Sequence, residues 1–126
     1  MYSINSHAFT GAVDDSITTI TIPGSVVKLS SYAFGNNMPN IANTILNIGT
    51  EQHKSNLLLA SRDGQSAISS DALRQNNKFD TINFWTNQYS APNEKINGTI
   101  SVADWFANNG VLRSSGSVFV NGINNK

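Results

Sequence analysis

His7 and His53 are the only imidazoles in the chain, and eight Asp+Glu are its only carboxylates. A transition-metal site needs such groups at short, regular spacing, and neither histidine stands where it pairs with Asp or Glu. Cysteine is absent, so thiolate ligation and disulfides are excluded together. Both histidines read as solvent-facing loop residues. Asp14-Asp15 is the one adjacent carboxylate pair, but a hard cation takes oxygens from several side chains, and no further Asp or Glu lies near it. The pair reads as a solvated turn. Serines are plentiful, yet none sits between the glycines of a nucleophile elbow. The expectation is a non-enzyme with no catalytic residue, no metal and no cofactor.

The residues left for recognition are neutral. Asn97-Gly98-Thr99 is formally a glycosylation acceptor, and the same Asn-Gly is a hairpin signal that needs no sugar. Trp85 and Tyr89 follow an apolar strand. They serve either as exposed aromatics that stack on a partner or as buried plugs at the end of the core. Thr19, Thr21, Asn47, Thr81 and Asn83 fall on the polar side of alternating strands. With Trp85 and Tyr89 they make up the candidate binding face. The competing reading is that Thr and Asn only keep a solvated sheet soluble.

The elements that must position these residues are repeats. Leu29-Ser30-Ser31-Tyr32-Ala33-Phe34 aligns without gaps on Ile68-Ser69-Ser70-Asp71-Ala72-Leu73, and Ala8-Phe9 supplies a third small-then-large apolar pair. A polar turn follows each pair, and then a strand. Ile17, Ile20 and Ile22 share their spacing with Phe79, Ile82 and Phe84, and Ile45-Leu46-Asn47-Ile48 fits the last positions. Apolar residues two apart predict strands with one buried and one wet face. The step from Ala8 to Ala33 is about 25 residues, within the range of stacked solenoid repeats. The longer step to Ala72 demands an insertion, placed at 50–64, where Leu57-Leu58-Leu59-Ala60 reads as an extra strand or hairpin leaving the stack. Pro23-Gly24 closes the first strand, proline removing a donor and glycine accepting a positive φ at the corner.

The run from Ile20 to Phe34, through Ile22-Pro23-Gly24-Ser25-Val26 to Ala33-Phe34, resembles the BspA-type leucine-rich repeats. The likeness is strong over 17–34, moderate over 65–84 and weak elsewhere. It implies a right-handed solenoid of the kind found in bacterial surface, parasite and phage proteins, acting by adhesion or display. The expected fold is therefore mainly β: a short irregular leucine-rich-repeat solenoid, about three repeats over 1–90, with a capping helix and hairpin over 91–126, the whole forming a single domain. In that cap Asn97-Gly98 marks a type I′ hairpin between Ile96 and Thr99-Ile100. Ser101 and Asp104 take capping-box positions for a helix over 102–108 that buries Trp105 and Phe106, and Asn109-Gly110 stops it in the left-handed region. Val111-Leu112 and Ser117 to Val120 read as strands around a turn at Arg113 to Gly116.

Composition narrows the partner. Charged residues are 13%, about half the usual share of roughly 25%. Eight Lys+Arg offset eight Asp+Glu, leaving no basic field for nucleic acid. No charged start precedes an apolar run, and no apolar stretch of about 18 residues occurs, so neither a signal peptide nor membrane insertion is expected. Ala8-Phe9 has no preceding strand to cover it, which points to a homo-oligomer or a place in a larger assembly. The expected partner is a protein or a host-surface glycan, met outside the cell, at a cell surface or in a virion. The alternative to an adhesion module is a phage tail, fibre or capsid accessory subunit, and a carbohydrate-active enzyme comes third.

Overall fold

The structure, a computed structural model, describes residues 2–4, 19–29, 45–59, 67–68, 79–96, 98–109 and 111–126. Its strands are β1 (Tyr2–Ile4), β2 (Thr19–Ile22), β3 (Val26–Leu29), β4 (Ile45–Ile48), β5 (Leu58–Leu59), β6 (Ala67–Ile68), β7 (Phe79–Phe84), β8 (Lys95–Ile96), β9 (Ile100–Ser101), β10 (Leu112–Val120) and β11 (Ile123–Asn124). Among the described residues α1 (Val102–Asn108) is the one helix, and the protein is mainly β.

The period-two pattern does in space what it promises in sequence. β2, β4, β7 and β10 lie side by side in chain order, all parallel, and antiparallel β11 follows β10. Their register builds continuous columns. Ile20 meets Leu46, Leu46 meets Ile82, and Ile82 meets Val118; Ile22, Ile48, Phe84 and Val120 form the second apolar column. All but Ile20 are buried, and Ile20 packs against the core from β2. Burying a side chain of this size contributes about 1.5–3 kcal/mol, so the two columns are a large part of what holds the sheet together. The ladder continues one step past the strands. Gly49 N donates to Ile22 O at 2.7 Å, Trp85 N to Ile48 O at 2.9 Å and Asn121 N to Phe84 O at 3.0 Å.

Parallel neighbours need long crossovers. Part of these crossovers, together with β1, which precedes β2, forms a second sheet, ordered β1-β3-β6-β5 and again parallel. Leu29 pairs with Ile68 there, the two residues that open the aligned repeat text. The remainder of that text, Ser30 to Phe34 and Ser69 to Leu73, lies outside the described residues, as do His7, Ala8-Phe9, Asp14-Asp15, Ile17, Asn97 and Gly110.

The helix follows its expected bounds. Ser101 Oγ accepts from Asp104 N at 3.1 Å, and Val102, Trp105 and Phe106 are buried. Its end carries the six-to-one bond of a left-handed stop, Val111 N donating to Phe106 O at 3.1 Å; Gly110, the glycine of the expected stop, lies outside the described residues, and Asn109 is the C-cap. That residue has φ −100°, and its backbone N (3.1 Å) and Nδ2 (2.8 Å) both donate to Trp105 O. The side-chain amide thus shares one of the helix's end carbonyls with the backbone donor.

Five other expectations change. Ser117 to Val120 is the fourth parallel strand of the main sheet, where the sequence reading assigned it to the cap. Arg113 to Gly116 is no turn between two strands but an irregularity within β10: Leu112 pairs with Phe79 and Ser117 with Thr81, so the extra residues bulge out. Leu57 and Leu59 are no excursion but part of the core. They are 0% and 2% exposed, and β5 pairs with β6. A strand, β1, does precede Ala8-Phe9, and it pairs with β3. Gly24 is needed for close approach and not for positive φ, since a Cβ there would fall 2.1 Å from the His53 carbonyl oxygen.

The hairpins are also redistributed. Lys95 pairs with Ser101 and Ile96 with Ile100, which leaves three residues, 97–99, in the loop expected to hold two. The two-residue loop is Asn121-Gly122, between Val120 and Ile123. Its φ values of 51° and 85° are both positive, as a type I′ turn requires.

Candidate functional site

On the opposite face from the apolar columns the same register makes two outer columns. Thr19, Ile45, Thr81 and Ser117 form one, and Thr21, Asn47, Asn83 and Phe119 form the other. Thr19 and Thr21 are exposed, and the other six are partly buried. The second column is hydrogen-bonded along its length. Asn83 Nδ2 donates to Asn47 Oδ1 at 2.8 Å, and Asn47 Nδ2 donates to Thr21 Oγ1 at 3.3 Å. Each amide donates toward β2, so the ladder has a direction. A free asparagine flips and rotates, whereas these two are held by neighbours one strand away. Neither column contains an ionisable group. The salt bridge on this sheet, Arg113 Nη1 to Asp80 Oδ1 at 3.3 Å, spans the β10 irregularity. Partly exposed pairs of this kind contribute about 0–1 kcal/mol.

A second amide pair flanks the corner beyond the sheet. Ser55 and Thr86 bridge in parallel and are buried, and beside them Asn87 Nδ2 donates to Asn56 Oδ1 at 3.1 Å. Ser55 Oγ accepts from Leu57 N and Thr86 Oγ1 from Gln88 N, so each buried hydroxyl accepts a bond within its own turn.

The sequence-derived face is thus brought together in part. Thr19, Thr21, Asn47, Thr81 and Asn83 share one surface. Tyr89 belongs to the frame. Its hydroxyl oxygen accepts from Leu59 N at 2.9 Å and donates to Leu59 O at 3.5 Å, while its ring lies 5.9 Å from that of Phe84. Trp85 is partly buried and reaches the terminal hairpin: a Cβ on Gly122 would sit 3.8 Å from its Cη2. His53 is exposed in the loop after β4. Among the described residues no three of His, Cys, Asp and Glu cluster, and no helix is long and apolar enough to cross a membrane. Sequence reasoning missed Ser117 and Phe119. The available signal was Val118-Phe119-Val120, which repeats the apolar spacing of Leu46-Asn47-Ile48 with an aromatic in the outer position.

Two polar side chains in this region support predictions of their own. Burial raises the Tyr89 pKa above its ordinary 10.0, the Leu59 hydrogen bond opposes the rise, and the Glu94 carboxylate adds to it. The folded state therefore holds this proton more tightly than the unfolded chain. The resulting stability is fully present below about pH 10 and is lost as pH climbs through the raised value. Thermal midpoints should fall more steeply above pH 10 for the wild type than for Tyr89→Phe, and parallel curves would contradict the assignment. Asn121 anchors the terminal hairpin: its Oδ1 accepts from Thr86 N (2.9 Å), and its Nδ2 donates to Thr86 O (3.0 Å) and Tyr89 O (3.1 Å). Asn121→Asp aims a carboxylate at two carbonyls and should destabilise by about 2–3 kcal/mol in denaturant titration. A change of less than about 0.5 kcal/mol would show that the anchor contributes little.

No protein-family model, curated protein or solved structure matches this chain.

Proposed function

We propose that the protein is a non-enzymatic binding or display module whose working surface is the outer face of the β2-β4-β7-β10 sheet. The observation that carries this is the in-register ladder Thr21–Asn47–Asn83. Solubility alone asks only for polar side chains and does not ask that they be aligned and cross-bonded. Laterally stacked repeats present extended surfaces in which each row adds a modest contact. In this reading β2 with β3, β4 with β6 and with β5 added beside it, and β7 and β10 with their crossovers are turns of a short right-handed solenoid of the irregular leucine-rich kind. Parallel strands joined by crossovers are right-handed in nearly all proteins. The resemblance of 17–34 to BspA-type repeats points the same way, toward adhesion or display outside a cell or on a virion.

The test is retention of the intact chain on an array of printed glycans and purified surface proteins. Saturable binding to a defined member is the expected result, and silence across the array opposes the module reading. Assembly into a virion is a second reading, favoured by one observation: among the described residues β2 is the last strand of the main sheet. An edge strand accepts a further strand unless it is covered. Sedimentation separates the two readings. A stable monomer at high micromolar concentration opposes assembly, and a defined oligomer or filament supports it.

A further inference from the structure

The geometry points to a neutral, extended oligosaccharide as the ligand of the ladder face; this rests on the binding-module reading above and narrows it to one chemical class. Asparagine carries two N–H donors and two acceptor sites on its oxygen. The ladder uses one donor and one acceptor of Asn47, and one donor of Asn83. Among the described residues each amide therefore retains an N–H and an acceptor site beside one another, in an orientation the ladder has already fixed. A sugar hydroxyl is donor and acceptor at once, and a vicinal pair of hydroxyls matches such an amide edge. Because the amides are held before any ligand arrives, little rotamer freedom is lost on binding.

Spacing and charge agree with that ligand. Neighbouring strands lie about 4.8 Å apart, so the amides of Asn47 and Asn83 repeat at a step comparable to the advance of one ring along an extended β-linked glycan. Thr19, Thr81 and Ser117 add a parallel column of hydroxyls. Phe119 stands beside Asn83, partly exposed, with an aromatic face for the C–H side of a pyranose. No charge lies in either column, which leaves a sulfated or carboxylated glycan without a counter-ion there.

Side-chain amide NMR on the full chain tests this, with cellohexaose, xylohexaose, β-1,4-mannohexaose and hexa-N-acetylchitohexaose as neutral β-linked probes and a heparin hexasaccharide as the charged one. The expected result is perturbation of the Asn47 and Asn83 Nδ2 resonances by at least one neutral probe, unchanged by added salt. Phe119→Ala should weaken that binding by about tenfold. Ser117→Arg, which leaves the ladder intact, should block it, and thermal melts of both variants confirm that they are folded. Silence of both amides toward every neutral probe overturns the inference, as does salt-sensitive preference for heparin. If the amides respond instead to heparin or to an array protein, the sugar class fails while the binding reading survives. If Ser117→Arg leaves all array binding untouched, the assignment of the outer face as the working surface fails as well, and silence of the wild-type chain across the array removes the binding reading itself.

Discussion

Gly49→Ala is expected to cost about 3–5 kcal/mol, enough to consume much of the stability of an ordinary domain. Gly49 lies at φ +73°, where an L side chain is strained, and its missing side chain leaves room for two backbones. A Cβ there would stand 2.6 Å from Trp85 O and 2.8 Å from Ser55 N, two groups joined by their own 2.8 Å hydrogen bond. Those atoms are main chain and cannot swing aside. Gly98→Ala is the control: φ is +74° but nothing lies within 4 Å of the new Cβ, so only backbone strain of about 1–2 kcal/mol remains. Denaturant titrations of the two variants should differ by about 1–4 kcal/mol, Gly49→Ala being the less stable. Equal losses would mean that the strands do not approach as closely as described at this corner.

Phe84→Ala is expected to destabilise by about 3–5 kcal/mol, lowering the thermal midpoint by on the order of 15 °C. Phe84 is fully buried and joins three parts of the molecule. It continues the apolar column between Ile48 and Val120, meets Phe106 of α1 edge-on at 5.7 Å, and packs on Tyr89 at 5.9 Å. Trp105 sits behind Phe106 at 5.3 Å, again edge-on. Truncation leaves a cavity between sheet and helix that neither can close without moving the other. A loss below about 1 kcal/mol would show that the helix does not cover this end of the sheet.

The strands of the ladder were legible because period-two alternation is a property of local sequence. Ile20, Ile22, Leu46, Ile48, Ile82 and Phe84 announce their face, and Thr21, Asn47 and Asn83 follow from it. The helix was legible for a similar reason, since Ser101 and Asp104 act within one turn. What escaped depends on residues distant in sequence. Ser117 to Val120 was legible as a strand, but the turn-like composition of Arg113 to Gly116 hid that it continues from Leu112 and joins the main sheet. Leu57 and Leu59 read as an excursion because a contact that ties this segment in is distant in sequence: Leu59 N donates to the Tyr89 hydroxyl, thirty residues on. Gly24 was assigned to a sharp corner, while its requirement is set by the His53 carbonyl. Of three Asn-Gly pairs, Asn97-Gly98 and Asn121-Gly122 both follow a strand, and only pairing showed that Asn121-Gly122 makes the two-residue turn. Likewise the direction of the amide ladder exists only once three strands share a register.

Whether the outer columns are where a partner is met is decided most directly by array binding of a Thr21→Arg/Thr81→Arg double variant against the wild-type chain. Both positions face away from the apolar columns, so the added charge and bulk obstruct the surface while the core stays as it is. With an unchanged thermal melt, a loss of array binding of about a hundredfold or more is the predicted result. Retained binding in a folded double variant would contradict it and place the partner elsewhere on the molecule.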